Sequence, residues 1–149
     1  MPGSLFDTNV WIASVFTTHP AHRSARGVLK ESTSAEPAVF CRSTHQSFLR
    51  LASTPALAKV YGATGMTNRD ALHLLEGLLA LPQVCHREES PGTVEFWHQL
   101  AARDTASPKV WMDAYLAALA IRGGMRLVSL DRDFKTFETH GLDLQLLHF

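Results

Sequence analysis

The sequence predicts an α/β fold, a three-layer α/β/α domain around a central, mainly parallel sheet. Three observations predict it. Short apolar runs alternate with segments of helical period from one end of the chain to the other. Turn-forming Gly, Pro and Asn residues separate the two kinds of segment. The composition is that of an ordinary globular protein, 46% hydrophobic and 19% charged over 149 residues. That length suits a single domain, spanning 1–149, well above the size at which small folds need covalent staples.

The elements follow in order. Ser4 to Ile12 predicts a short strand ending near Asp7. His19-Pro20-Ala21-His22 is a loop, and Ala21 to Lys30 carries Ala25, Val28 and Leu29 at helical spacing. Ala38 to Arg42 is apolar enough for a second buried strand. Thr44 is a candidate cap for the next helix, with Phe48, Leu49 and Leu51 facing inward. Thr54-Pro55 ends that helix, and Gly62 to Gly65 forms a turn. Thr67 or Asn68 starts a helix through Ala71, Leu72, Leu75 and Leu79, which Pro82 breaks before a strand over Gln83 to His86. After the polar connector Glu88 to Gly92 comes an amphipathic helix with Val94, Trp97 and Leu100. Ser107-Pro108 opens another helix, from about Val110 to Arg122, and Gly123-Gly124 closes it. Arg126 to Leu130 is a strand, and Leu142 to Phe149 alternates like a terminal edge strand.

Bulk properties exclude several classes. No apolar run approaches the roughly 18 residues of a membrane helix, and the N-terminal residues lack the basic-then-apolar pattern of a secretory signal, so an intracellular protein is expected. Cys41 and Cys85 each lie in an apolar segment without a second cysteine nearby, as reduced and partly buried thiols do. Fourteen basic and fourteen acidic side chains cancel, so any nucleic-acid binding has to come from a local patch or a metal. No serine–histidine–acid order, P-loop or dinucleotide fingerprint is present.

Three aspartates stand out. Ligands of open parallel sheets bind at the carboxyl ends of the strands. Asp7 follows the first apolar run and Asp131 follows Arg126 to Leu130, while Asp113 lies in the first turn of the helix feeding that strand. Singly, Asp113 and Asp131 are better explained as a dipole-complementing residue and a turn residue. Together, clustered carboxylates repel one another and persist with a cation that neutralises them. Oxygen-only ligands suit Mg²⁺ or Mn²⁺, and such an ion suits hydrolysis of a phosphodiester or phosphomonoester.

These residues also resemble a known family. Phe6-Asp7-Thr8-Asn9-Val10-Trp11-Ile12 resembles the opening motif of PIN-domain proteins. The stretch from Trp111 to Ala120 resembles their third-acid helix, and Ser129-Leu130-Asp131-Arg132-Asp133-Phe134 the strand carrying their last acid. Thr44 to Leu51 resembles the second motif helix of VapC-type toxins. The resemblance implies a PIN-like nuclease domain and a Mg²⁺-dependent endoribonuclease, with Mn²⁺ as an alternative ion. Such a protein is the toxin of a type II toxin–antitoxin pair in the bacterial cytoplasm. Its partners would be a structured RNA substrate (tRNA or ribosomal RNA), a VapB-type antitoxin and a second copy of itself.

Carried over by position, Asp7, Asp113 and Asp131 would be the catalytic, metal-binding acids, with Thr8 or Asn9 supporting the site by hydrogen bonding. Asp133 would hold a second metal or a water, or serve as a turn residue. His45 stands where the family commonly has Glu, and a neutral imidazole is a poorer Mg²⁺ ligand. This departure keeps a second reading in play, a non-catalytic PIN domain that binds RNA or a partner protein. A phosphatase-like hydrolase ranks lower, because Asp7-Thr8-Asn9 lacks a second Asp two residues on. His19 and His22 fit a solvated loop better than a metal site, and the three tryptophans fit core or interface positions better than base stacking. Arg23, Arg26 and Lys30 form either an RNA- or antitoxin-facing patch or a solvated face, and Arg50 pairs with an acid, touches phosphate or is exposed.

Overall fold

A computed structural model describes residues 3–62 and 65–149. Its five strands, β1 (Ser4–Phe6), β2 (Ala38–Phe40), β3 (Val84–His86), β4 (Arg126–Ser129) and β5 (Leu144–Leu146), form one sheet in the order β3-β2-β1-β4-β5. Every pairing is parallel, with Leu5 opposite Val39, Phe40 opposite His86, Phe6 opposite Val128 and Ser129 opposite Leu146. The helices are α1 (Thr8–Val15), α2 (His22–Glu31), α3 (Arg42–Ala52), α4 (Pro55–Val60), α5 (Asn68–Leu79), α6 (Thr93–Ala101) and α7 (Val110–Arg122). A 3₁₀ stretch covers Arg132–His140.

Strand alternation builds the three layers. Phe6, Phe40 and Val128 point into one core with Trp11, Phe48 and Leu75 from α1, α3 and α5. Their neighbours Leu5, Val39 and Leu127 point the opposite way, into a core with Leu100, Ala117 and Leu119 from α6 and α7 and with Phe134 and Phe137. Strands buried on both faces explain why they read as apolar runs and not as alternating patterns. The chain steps outward from β1 to β2 to β3, then returns to place β4 on the other side of β1. The crevice beyond the carboxyl ends of β1 and β4 is therefore the switch point of the sheet, where ligand sites form in such folds.

Some elements depart from the sequence expectation. The first strand ends at Phe6, beside Asp7 as expected, but the run after it, to which the sequence assigned no helix, is α1, which buries Val10, Trp11, Ile12, Ala13 and Ser14. A helix buried almost all round shows no amphipathic period, so its sequence is indistinguishable from a buried strand. Thr44 lies at the third position of α3, with Cys41 as the cap; the Thr44 hydroxyl accepts from the Cys41 amide at 3.0 Å. Leu72 and Val94, expected on the inner faces of their helices, are exposed. Helix α4 begins at Pro55, where a missing amide hydrogen costs nothing. The 3₁₀ stretch after Asp131 buries Phe134 and Phe137, whose spacing of three stacks them on one side of a three-residue turn. Of the turn expected over 62–65, Gly62 and Gly65 have φ of 75° and 74°, while residues 63 and 64 lie outside the described residues.

Candidate metal centre

Asp7 leaves the carboxyl end of β1 and caps α1. Its Oδ1 accepts the Thr8 amide at 2.7 Å. Its Oδ2 accepts the Ser129 hydroxyl, also at 2.7 Å, so β4 reaches across to hold the carboxylate from the other side. The Ser129 Oγ in turn accepts the Asp131 amide at 2.9 Å, and Asn9 Oδ1 accepts the Leu130 amide at 3.3 Å. The first turn of α1 and the end of β4 are thus stitched together by side chains from both.

Asp131 caps the 3₁₀ stretch, its Oδ1 accepting the Asp133 amide at 2.9 Å. Asp113 lies in the first turn of α7. Ligand oxygens of Asp113, Asp131 and Asp133 come within 4.8 Å of one another, and this is the metal-competent trio among the described residues. Asp7 stands outside it and is joined to it through Ser129. The structure therefore gathers all four acids in the switch-point crevice, and Asp133, ranked below the others on sequence, belongs to the tightest group.

The electrostatics of the four are coupled. Burial holds the Asp7 carboxyl above its ordinary value; the Ser129 and Thr8 hydrogen bonds pull it back, and the Asp131 charge pushes it further up. Asp113 is raised to about 6, first by burial and then by the charges of Asp131, Asp7 and Asp133, against the opposing pull of Lys109. The Lys109 ammonium lies 2.6 Å from Asp133 Oδ2, 3.1 Å from Asp131 Oδ2 and 3.9 Å from Asp113 Oδ2. Those contacts hold Lys109 protonated well above the ordinary lysine range.

Ser129 and Lys109 escape a reading of the sequence for acids, though each leaves a trace there. Ser129 is two residues before Asp131, the spacing that returns a strand to the same face. Lys109 precedes Asp113 by four, one helical turn.

His45 has different company. Its Nδ1 lies 3.0 Å from an Arg42 guanidinium nitrogen, and its ring meets His86 edge-on at 5.8 Å. Burial, Arg42 and His86 all lower its proton affinity, so the ring is biased to the neutral form. Thr8 takes part through its backbone amide, and Asn9 through its side chain.

An all-carboxylate set of this kind fits a hard divalent cation. Oxygen donors from several carboxylates are what Mg²⁺ and Mn²⁺ require, and a thiol or paired imidazoles are not among the trio. A buried carboxyl with a raised proton affinity gains most from a neighbouring cation, because the cation removes the cost that raised it.

Comparisons with known proteins bear on the chain's family and fold. The family model described as the PIN domain matches residues 4–139. The chain is 38% identical to ribonuclease VapC41 of Mycobacterium tuberculosis over 144 residues, 96% of this chain and 97% of that protein. It is 30% identical to ribonuclease VapC31 of the same organism over 134 residues, 89% of this chain and 92% of that one. Two solved structures share the fold at 14% identity. They are VapBC2 from Rickettsia felis bound to a DNA fragment from its promoter (TM-score 0.67, 99% of this chain and 100% of that one) and VapBC-1 from nontypeable Haemophilus influenzae (TM-score 0.63, 98% of each).

Proposed function

Since this chain belongs to the PIN-domain family and resembles its VapC ribonucleases over nearly its whole length, we propose that it is a Mg²⁺-dependent endoribonuclease, the toxin of a VapBC-type pair. The observation that carries the metal-dependent reading is the convergence of Asp113, Asp131 and Asp133, with Asp7 linked through Ser129, at the switch point of the sheet. In this reading the domain acts as one nuclease unit. Asp7, Asp113 and Asp131 hold the cation, and Mn²⁺ serves in place of Mg²⁺. Asp133 adds an oxygen or holds a water. The bound ion would polarise a phosphoryl oxygen and lower the pKa of a water.

The chain's own residues do the positioning. The Ser129 hydroxyl and the Thr8 amide fix both oxygens of Asp7, so its carboxylate cannot rotate freely. Asn9 pins the Leu130 amide and with it the turn that carries Asp131. Their combined effect is to present carboxylate oxygens in one orientation before a ligand arrives, which removes reorganisation from the binding step. The RNA is a structured one such as tRNA or ribosomal RNA, and a VapB-type antitoxin restrains the enzyme. The VapBC neighbours support the antitoxin partner through their fold. The chain works as a homodimer in the bacterial cytoplasm; no helix among the described residues is long and apolar enough to cross a membrane.

The test is Asp7→Asn, which keeps the shape and removes the charge. Induced expression of the wild-type chain should arrest growth, and the purified protein should cleave RNA only when Mg²⁺ or Mn²⁺ is present. Both effects should vanish in the variant. Growth arrest that persists in Asp7→Asn would favour a non-catalytic RNA- or protein-binding role.

A further inference from the structure

Lys109 is a feature of the centre that helix stability does not explain. It stands immediately before α7, in a helical backbone conformation (φ −64°, ψ −30°), and makes no backbone cap with its side chain. A cation at that end of a helix opposes the helix dipole, so helix stability gives no reason for a lysine there. The reason lies across the crevice. The Nζ reaches Asp133 Oδ2, Asp131 Oδ2 and Asp113 Oδ2, one oxygen from each member of the trio that would hold a metal. Its side chain is 62% exposed, so the ammonium can leave into water along a flexible four-carbon stem while the backbone stays in place.

We propose that Lys109 is a tethered counter-cation of the metal centre: it neutralises the Asp113, Asp131 and Asp133 carboxylates when no divalent ion is bound, competes with the ion for the same oxygens, and so sets its affinity. This rests on the reading of the trio as a metal site. An oxygen that coordinates Mg²⁺ does so at about 2.0–2.1 Å, and an ammonium held against the same three carboxylates would face a divalent charge at close range. The two cations exclude each other by Coulomb repulsion and by competition for the same lone pairs. Binding of the ion therefore includes displacement of Lys109, and the affinity is lower by the strength of its three contacts. Without Lys109, the repulsion among the carboxylates loses the ammonium that contacts all three.

The experiment is calorimetric titration of Mn²⁺ into metal-free wild type, Lys109→Met, Lys109→Arg and Asp131→Asn, with thermal unfolding of each form. Lys109→Met keeps the apolar stem and deletes the charge at an exposed position. It binds Mn²⁺ roughly tenfold more tightly, given a modest contribution from each solvent-exposed ion pair. Its metal-free form unfolds at a lower temperature, and its temperature gain on adding Mn²⁺ is larger than that of wild type. Lys109→Arg, which keeps the charge, binds no more tightly than wild type. Unchanged or weaker Mn²⁺ binding by Lys109→Met would overturn the competition, the weaker case showing a lysine that helps hold the ion. If wild type binds no better than Asp131→Asn, the metal reading itself falls, and this proposal with it.

Discussion

Ser129 illustrates how much of the centre depends on a single neutral side chain. Its hydroxyl donates to Asp7 Oδ2 and accepts from the Asp131 amide, so one atom relates two of the acids. A hydrogen bond donated to a carboxylate favours its charged form, and here it offsets part of the burial that raises Asp7. Ser129→Ala removes that donor, leaves Asp7 harder to ionise and frees its carboxylate to rotate. The expected outcome is a loss of about tenfold or more in Mn²⁺ affinity, the usual cost of losing a partner that orients a metal ligand. Titration calorimetry at neutral pH measures it. Ser129→Thr keeps the hydroxyl and retains most of the affinity; equal binding by the alanine and threonine variants would show that the hydroxyl does not orient Asp7.

At the scale of elements, α1 decides where Asp7 points. The Trp11 ring stacks on Phe40 of β2 at 3.9 Å between centroids and 5° between planes, and it tilts against Phe6 at 4.8 Å. Phe40 meets Phe48 of α3 edge-on at 6.1 Å, so one aromatic chain ties α1, β2 and α3 together. Trp11 is fully buried and its Nε1 has no hydrogen-bond partner among the described residues, so the ring contributes through packing alone. Trp11→Ala would cost about 3–5 kcal/mol, the range for emptying an aromatic site in a core. Trp11→Phe would cost much less, because it keeps a ring and also deletes the unpartnered donor. Chemical denaturation of the two variants checks the ranking, and comparable midpoints would show that the stack carries little of α1's anchoring.

At the scale of the whole molecule, the acidic centre links stability to pH and, through the proposed metal site, to a divalent cation. Asp113 has an ordinary value of 3.8 and a folded value of about 6. Between those pH values the folded chain holds a proton that the unfolded chain has released. Stability from this group is therefore present at lower pH and lost as pH rises through 6; Asp7, also raised, has the same sign. In metal-free protein the melting temperature of wild type relative to Asp113→Asn should fall between pH 5 and pH 7.5. Saturating Mn²⁺ reverses the order at pH 7.5. An ion at a hundred times its dissociation constant adds about 2.7 kcal/mol, or roughly 5–10 °C for a chain of this size. A wild-type melting temperature unmoved by Mn²⁺ would contradict a cation site in this crevice.

Local chemistry by itself determined the succession of strands and helices, the sheet's parallel class and the placement of Asp7 and Asp131 just past strand ends, because periodicity, turn residues and strand length act over a few residues. It gave no sign of α1, since a segment buried on nearly every side has no polar face to reveal its period. The tertiary structure alone decided which acids meet. Asp7 and Ser129 are 122 residues apart and touch because β4 crosses back to lie beside β1, a strand order that no local pattern encodes. The same crossing brings the start of α7 to the crevice. It thereby sets Lys109, four residues before Asp113 in the chain, against Asp131 and Asp133 as well. Charge pairing between distant segments depends on that packing, so the lysine at the heart of an acidic centre is visible only once the sheet is assembled.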